Sequence, residues 1–114
     1  MAITTAYSGT ATIATTEYSL VSNSTTLASD TNAGVYQVFI DASGMGAEDG
    51  YTIYIKDKIV SGGTQKAIYA AAIDGVQSTP FVTPSLILMN GWDVTMLGDT
   101  GTSASITWSI RKVA

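Results

Sequence analysis

The chain has 114 residues, the size of one domain, because two independent cores would leave each half too small to bury enough apolar surface. Hydrophobic residues make up 46% of it and charged residues 12%, about half the roughly 25% usual in globular proteins, so serine, threonine, glycine and alanine must cover much of the surface. Nine carboxylates oppose five cations for a net charge of −4; with no basic stripe to neutralise a phosphate backbone, nucleic acid is not an expected partner.

In chain order, residues 1–7 stand apart as a candidate flexible arm. Residues 8–14 and 17–22 read as strands joined by a threonine-rich turn, and residues 23–33 as a loop. The clearest strand covers residues 34–41, with Tyr36, Val38 and Ile40 on one face and Val35, Gln37 and Phe39 on the other. Both faces are substantially apolar, which places this strand centrally in a sheet. Residues 51–60 alternate Tyr51, Ile53 and Ile55 against Thr52, Tyr54 and Lys56. Ser61-Gly62-Gly63-Thr64 follows, then a strand over residues 65–73, and the glycine pair supplies the positive φ that a tight hairpin needs.

On that returning strand Ala67, Tyr69, Ala71 and Ile73 share a face whose small alanines leave room for another chain or sheet. Pro80 and Pro84 cannot donate to a ladder, so residues 77–84 form a loop or edge crossing with Phe81 between the prolines. A short strand over residues 85–89 stops at Asn90-Gly91, a hairpin signal leading into residues 92–97. After a turn over residues 98–103, the last strand, residues 104–113, sets Ile106, Trp108 and Ile110 against Thr107, Ser109 and Arg111. Trp92 and Trp108 fall on neighbouring predicted strands, where they could stack across the sheet; aromatic rows of this kind also bind sugars, but Trp108 shares its face with Ile106 and Ile110, which favours core packing. Seven to eight strands with frequent turns predict an all-β fold: a single antiparallel β-sandwich or small jelly roll filling residues 1–114.

The chain has no histidine and no cysteine, which removes the commonest general base, the best nucleophile and the main transition-metal ligands together. Glu17, Asp41, Glu48, Asp49, Asp93 and Asp99 could supply a carboxylate pair, but most sit at predicted turns, where acids bond backbone donors as a matter of course. No enzyme activity, cofactor or metal is expected; a surface calcium ion, were one bound, would fall near Asp41, Glu48 and Asp49. The apolar runs, residues 67–73 and 86–89, are far shorter than the roughly 20 residues of a spanning helix, so no membrane partner is expected. Residues 1–16 lack the charged and apolar regions of a signal peptide, and synthesis without export is the expectation. Low charge permits self-association or docking on a large neutral surface. Phe81 suits an anchor in a neighbour's pocket or a plug for its own sandwich, and Met45, between two glycines, suits an adaptable contact.

Three stretches, Tyr18-Ser19-Leu20 through Thr25-Thr26-Leu27, Val60-Ser61-Gly62-Gly63-Thr64-Gln65 and Ile106-Thr107-Trp108-Ser109-Ile110-Arg111-Lys112, give a chain that resembles the small β-rich virion proteins of tailed bacteriophages, in particular capsid decoration or cement proteins. The resemblance implies a subunit on the virion surface that contacts the major capsid protein where capsomers meet, assembles as a homo-oligomer, favouring a trimer, and staples the shell. Met45, Ala67, Tyr69, Ala71 and Phe81 are the expected partner contacts. A tail, fibre or baseplate component is the rival within the same particle. A carbohydrate-binding adhesin using Tyr51, Tyr54 and Trp92 is the rival outside it.

Overall fold

The computed structural model describes residues 2–113, and among them no helix forms. Nine strands run β1 (Ile3–Ile13), β2 (Tyr18–Ser19), β3 (Gly34–Asp41), β4 (Gly50–Lys58), β5 (Gln65–Asp74), β6 (Phe81–Val82), β7 (Leu86–Leu88), β8 (Asp93–Gly98) and β9 (Ala104–Val113). They build two antiparallel sheets. The larger runs β1-β9-β3 with β6 and β7 both on the far edge of β3, and the smaller runs β2-β8-β4-β5.

Pro84 interrupts the edge between β6 and β7, and Thr83 bridges the gap. Its N–H donates to the Val38 carbonyl at 3.0 Å, and its hydroxyl oxygen accepts the Val38 N–H at 3.0 Å. Side chain thus replaces main chain where proline cannot donate. Counted as one broken strand, β6 and β7 give eight strands in two four-stranded sheets, and every connection except β4–β5 passes from one sheet to the other. That topology is a jelly roll, an elaboration of the β-sandwich.

The strand period of two assigns the core. Tyr36, Val38 and Ile40 on β3 and Ile106, Trp108 and Ile110 on β9 meet Tyr51, Ile53 and Ile55 on β4 and Val94 and Met96 on β8, all of them buried. Tyr51 turns its hydroxyl to the Ile13 carbonyl, and the Trp108 indole N–H donates to the Leu20 carbonyl at 2.9 Å, so the polar tips of the large aromatics are satisfied. Gly9 lies directly opposite Trp108, and a Cβ there would stand 2.7 Å from the indole ring. The absence of a side chain lets β1 close over the tryptophan.

Several expectations are corrected. Residues 3–7 are no free arm: they open β1 and pair with β9 from Ile3↔Val113 onward, while Met1 lies outside the described residues. The threonine-rich segment after β1 does not turn back within a sheet but crosses to the other one. The same holds at Asn90-Gly91, where Gly91 has φ of +98° yet β7 and β8 belong to different sheets. Trp92 and Trp108 therefore do not stack on each other; Trp92 packs on Tyr36 at 4.4 Å between ring centroids and Trp108 meets Tyr18 edge-on at 6.1 Å. The expected β4–β5 hairpin is present, paired from Gly50↔Asp74 to Lys58↔Gln65 with one register shift between Ile55 and Lys56.

Candidate binding surface

Side chains that point away from the core on the larger sheet form rows across its strands, because opposed residues in an antiparallel pair share a face. One row sits at the end of the sandwich where β3 begins: Ile87 opposes Val35, Val35 opposes Val113, and Val113 opposes Ile3. Ile87 is 71% exposed and Ile3 70%, with the two valines half-buried between them. Four neighbouring strands thus contribute one aliphatic residue each to a single exposed stripe.

The next rows are mostly polar, with Val82 and Phe39 in the third. Gln37, Arg111 and Thr5 make the second, and Val82, Phe39, Ser109 and Ser8 the third. Asp41, Thr107 and Thr10 make the fourth, in which the two threonine hydroxyls lie 3.0 Å apart. The Arg111 guanidinium lies 3.8 Å from the centroid of the Phe39 ring, a cation–π stack that holds both side chains flat. Beside them a shallow depression of about 230 Å³ is lined by Phe39, Asp41, Pro80, Thr107, Ser109 and Arg111. Arg111 and Asp41 are the two charged side chains of this face, and the Asp41 carboxyl is held below its usual range by the backbone N–H and hydroxyl of Ser43.

Charge is unevenly spread along the sandwich, with Asp30, Asp57 and Asp93 at the end that holds the cations. Lys56 and Lys58 close β4, Lys66 opens β5, and Arg111 and Lys112 lie near the close of β9, so all five cations sit toward the end that carries the aliphatic row. Asp41, Glu48, Asp49, Asp74 and Asp99 occupy the other end. They act as turn residues: Asp41 accepts the Ser43 N–H and Asp49 the Gly46 N–H. Among the described residues no three acids converge as a metal-ligating group, so Asp41, Glu48 and Asp49 do not build the calcium site that their spacing allowed.

Two carboxylates on the smaller sheet are tuned in opposite directions. Burial pushes the Glu17 carboxyl up, but the hydrogen bonds from Lys56 and Thr95, both 2.6 Å, together with the Lys56 charge, outweigh it and hold Glu17 below its usual range. Asp93 is pushed up by burial, and the bonds from Ser19, Ala28 and Val94 offset only part of this. Glu17 therefore contributes stability that is present above its ordinary value of 4.5 and is lost as pH falls through the folded value. Asp93 does the reverse, its contribution growing as pH falls from above its folded value toward 3.8. Glu17→Gln is expected to flatten the loss of stability on acidification, read as the urea midpoint against pH; an unchanged acid limb would refute the assignment.

Most of the expected contact residues lie elsewhere than a free surface. Met45 is 3% exposed, because its N–H bonds to the Ala42 carbonyl and the turn folds the thioether into the core. Tyr69 and Ala71 oppose the buried Ile55 and Ile53, so the face with room for another sheet is occupied by the chain's own larger sheet. Ala67 falls beyond the register shift and is exposed. Phe81 opposes Ile40 and packs half-buried against the core, acting as a plug for its own sandwich.

Ile3, Val82 and Ile87 went unnoticed in the sequence. The signal was present at Leu86-Ile87-Leu88, where a period of two must expel the middle residue if its neighbours are buried. No protein-family model, curated protein or solved structure matches this chain.

Proposed function

We propose that the chain is a structural virion protein that decorates and stabilises an assembled phage capsid, seated at capsomer junctions through the outer face of the larger sheet. The observation that carries this reading is the aliphatic row Ile87, Val35, Val113, Ile3 at the margin of a face whose other rows mix hydroxyls, Gln37, Arg111 and Asp41 with Phe39 and Val82. Such a face loses little hydration on contact, and its aliphatic side chains gain about 25 cal/mol for each Å² removed from water. A chain without imidazole or thiol supports a role in surface contact over one in catalysis.

The mechanism is mass action. A subunit that binds the assembled shell and not its dissociated parts stabilises the shell by RT ln(1 + [L]/Kd) at each site, so weak individual contacts add up over many copies. The jelly roll by itself does not choose among functions, since capsid and lectin domains both use it. An adhesin platform built from Tyr51, Tyr54 and Trp92 has little support, because Tyr51 and Trp92 are buried.

Quantitative mass spectrometry of purified particles tests the reading, with hundreds of copies expected in each particle. A handful would point to the tail instead. Ile87→Asp should leave the fold intact, since the side chain is 71% exposed, and weaken association with particles about tenfold or more, equivalent to ~1.4 kcal/mol in each subunit. Undiminished binding of the folded variant would remove the aliphatic row from the interface.

A further inference from the structure

We infer that two copies of the chain pair edge to edge through β1, antiparallel about a two-fold axis at Thr10, so that their larger sheets join into one continuous sheet. This goes beyond the capsid reading, stands without it, and puts a two-fold pair where the resemblance favours a trimer.

The two sheets expose four edges, and three of them are guarded in the ways that edge strands are usually guarded. β2 is two residues long, the β6–β7 edge is broken at Pro84, and β5 carries a charge near each end, Lys66 and Asp74, the second of them inside the regular run, residues 69–74, that its register shift leaves. β1 is different. Its eleven residues, Ile3–Ile13, include no charge and no proline, and from Ile3 to Thr12 its backbone partner among the described residues is β9 alone. One side of its ladder of N–H and C=O groups is therefore free to extend the sheet.

The sequence of β1 also suits its own copy. The irregularity between Thr5 and Tyr7 takes residues 3–5 out of register and leaves residues 7–13 as the regular segment. With Thr10 on the axis, Thr10 faces Thr10 and Ser8 of each copy faces Thr12 of the other on the outer side. Gly9 faces Ala11 and Tyr7 faces Ile13 on the inner side. Hydroxyl pairs of this kind are favourable cross-strand neighbours, and the uncharged strand sets no like charges opposite each other. The axis stands normal to the sheet, so both aliphatic rows face the same way.

The test uses the full chain in solution. Light scattering should give twice the chain mass of 11.8 kDa. Thr10→Lys, at an exposed position, should halve that mass by opposing two ammonium groups, and mixing it with Thr10→Asp should restore the dimer. The chain has no cysteine, so Thr10→Cys reports the axis directly: oxidation should cross-link it to a covalent dimer, whereas Lys66→Cys on the β5 edge should stay single. A wild-type mass of one or three chains, a Thr10→Lys variant that keeps the dimer mass, or equal cross-linking of the two cysteine variants would each overturn the inference. None of these readouts depends on a capsid.

Discussion

Trp92→Ala is expected to remove about 3–5 kcal/mol of folding stability, a large part of the ~5–15 kcal/mol that a domain of this size has. Trp92 is fully buried, lies 4.4 Å from the Tyr36 ring and 6.1 Å from that of Tyr7, and gives its indole N–H to the Asn32 carbonyl at 3.1 Å. Its backbone is tied as well, with N–H and C=O exchanged with Asp30, both at 2.8 Å. Because that backbone is held in place, the surroundings cannot collapse into the vacated volume, which puts the cost near the upper part of the range. Trp92→Phe keeps an aromatic ring against Tyr36 and gives up the indole hydrogen bond, for about 1–2 kcal/mol. Urea unfolding of both variants separates the two contributions; an alanine variant within 1 kcal/mol of wild type would show that the ring is not the keystone of this end of the core.

Asp57→Ala should cost about 3 kcal/mol through hydrogen bonds alone. The carboxylate is 5% exposed near the close of β4 and accepts three backbone N–H groups: Lys58 at 2.8 Å, and Met89 and Asn90, both at 3.0 Å. These bonds fasten the β7–β8 crossing, where the chain leaves one sheet for the other. Alanine leaves three part-buried donors without their acceptor, and each costs more than the bond it lost was worth to the extent that water cannot reach it. Asp57→Asn keeps one acceptor oxygen but turns an amide N–H₂ toward another donor, and an intermediate loss is expected. Hydrogen exchange at Met89 and Asn90 reads the effect locally: protection should fall there before it falls in β3 or β9. Uniform loss of protection would mean that the carboxylate serves the whole fold and not the crossing.

Local pattern explains which parts of this architecture could be read from the chain. β3, β4 and β9 announce themselves by alternation, and Gly62-Gly63 marks the hairpin between β4 and β5. Turn chemistry at Asn90-Gly91 sets backbone dihedrals but carries no information about which sheet receives the next strand, and the crossings after β1, β7 and β8 were hidden for that reason. On β5 each face mixes alanines with large apolar residues, Tyr69 and Ile73 on one and Ile68 on the other, so alternation alone could not tell the core side from the outside; the opposing Ile53 and Ile55 decide it. Met45 looked free between its glycines because a turn that folds back on its own core leaves no periodic trace. The aliphatic row was the least legible feature of all. It joins residues 3, 35, 87 and 113, and no window along the chain contains more than one of them.

The pairing of Ile3 with Val113 bears on how the molecule is made. A ribosome emits β1 well before β9, so β1 waits through the synthesis of the seven strands between them for the neighbour that completes its ladder. Only β4 and β5 can zip up locally; the larger sheet must close long loops before any reward arrives, and acquisition of the native state falls in the slow regime of milliseconds to seconds typical of all-β topologies. A nascent uncharged strand left waiting that long is the point at which a crowded polysome would tangle, and slowing synthesis between β1 and β9 would lengthen that exposure.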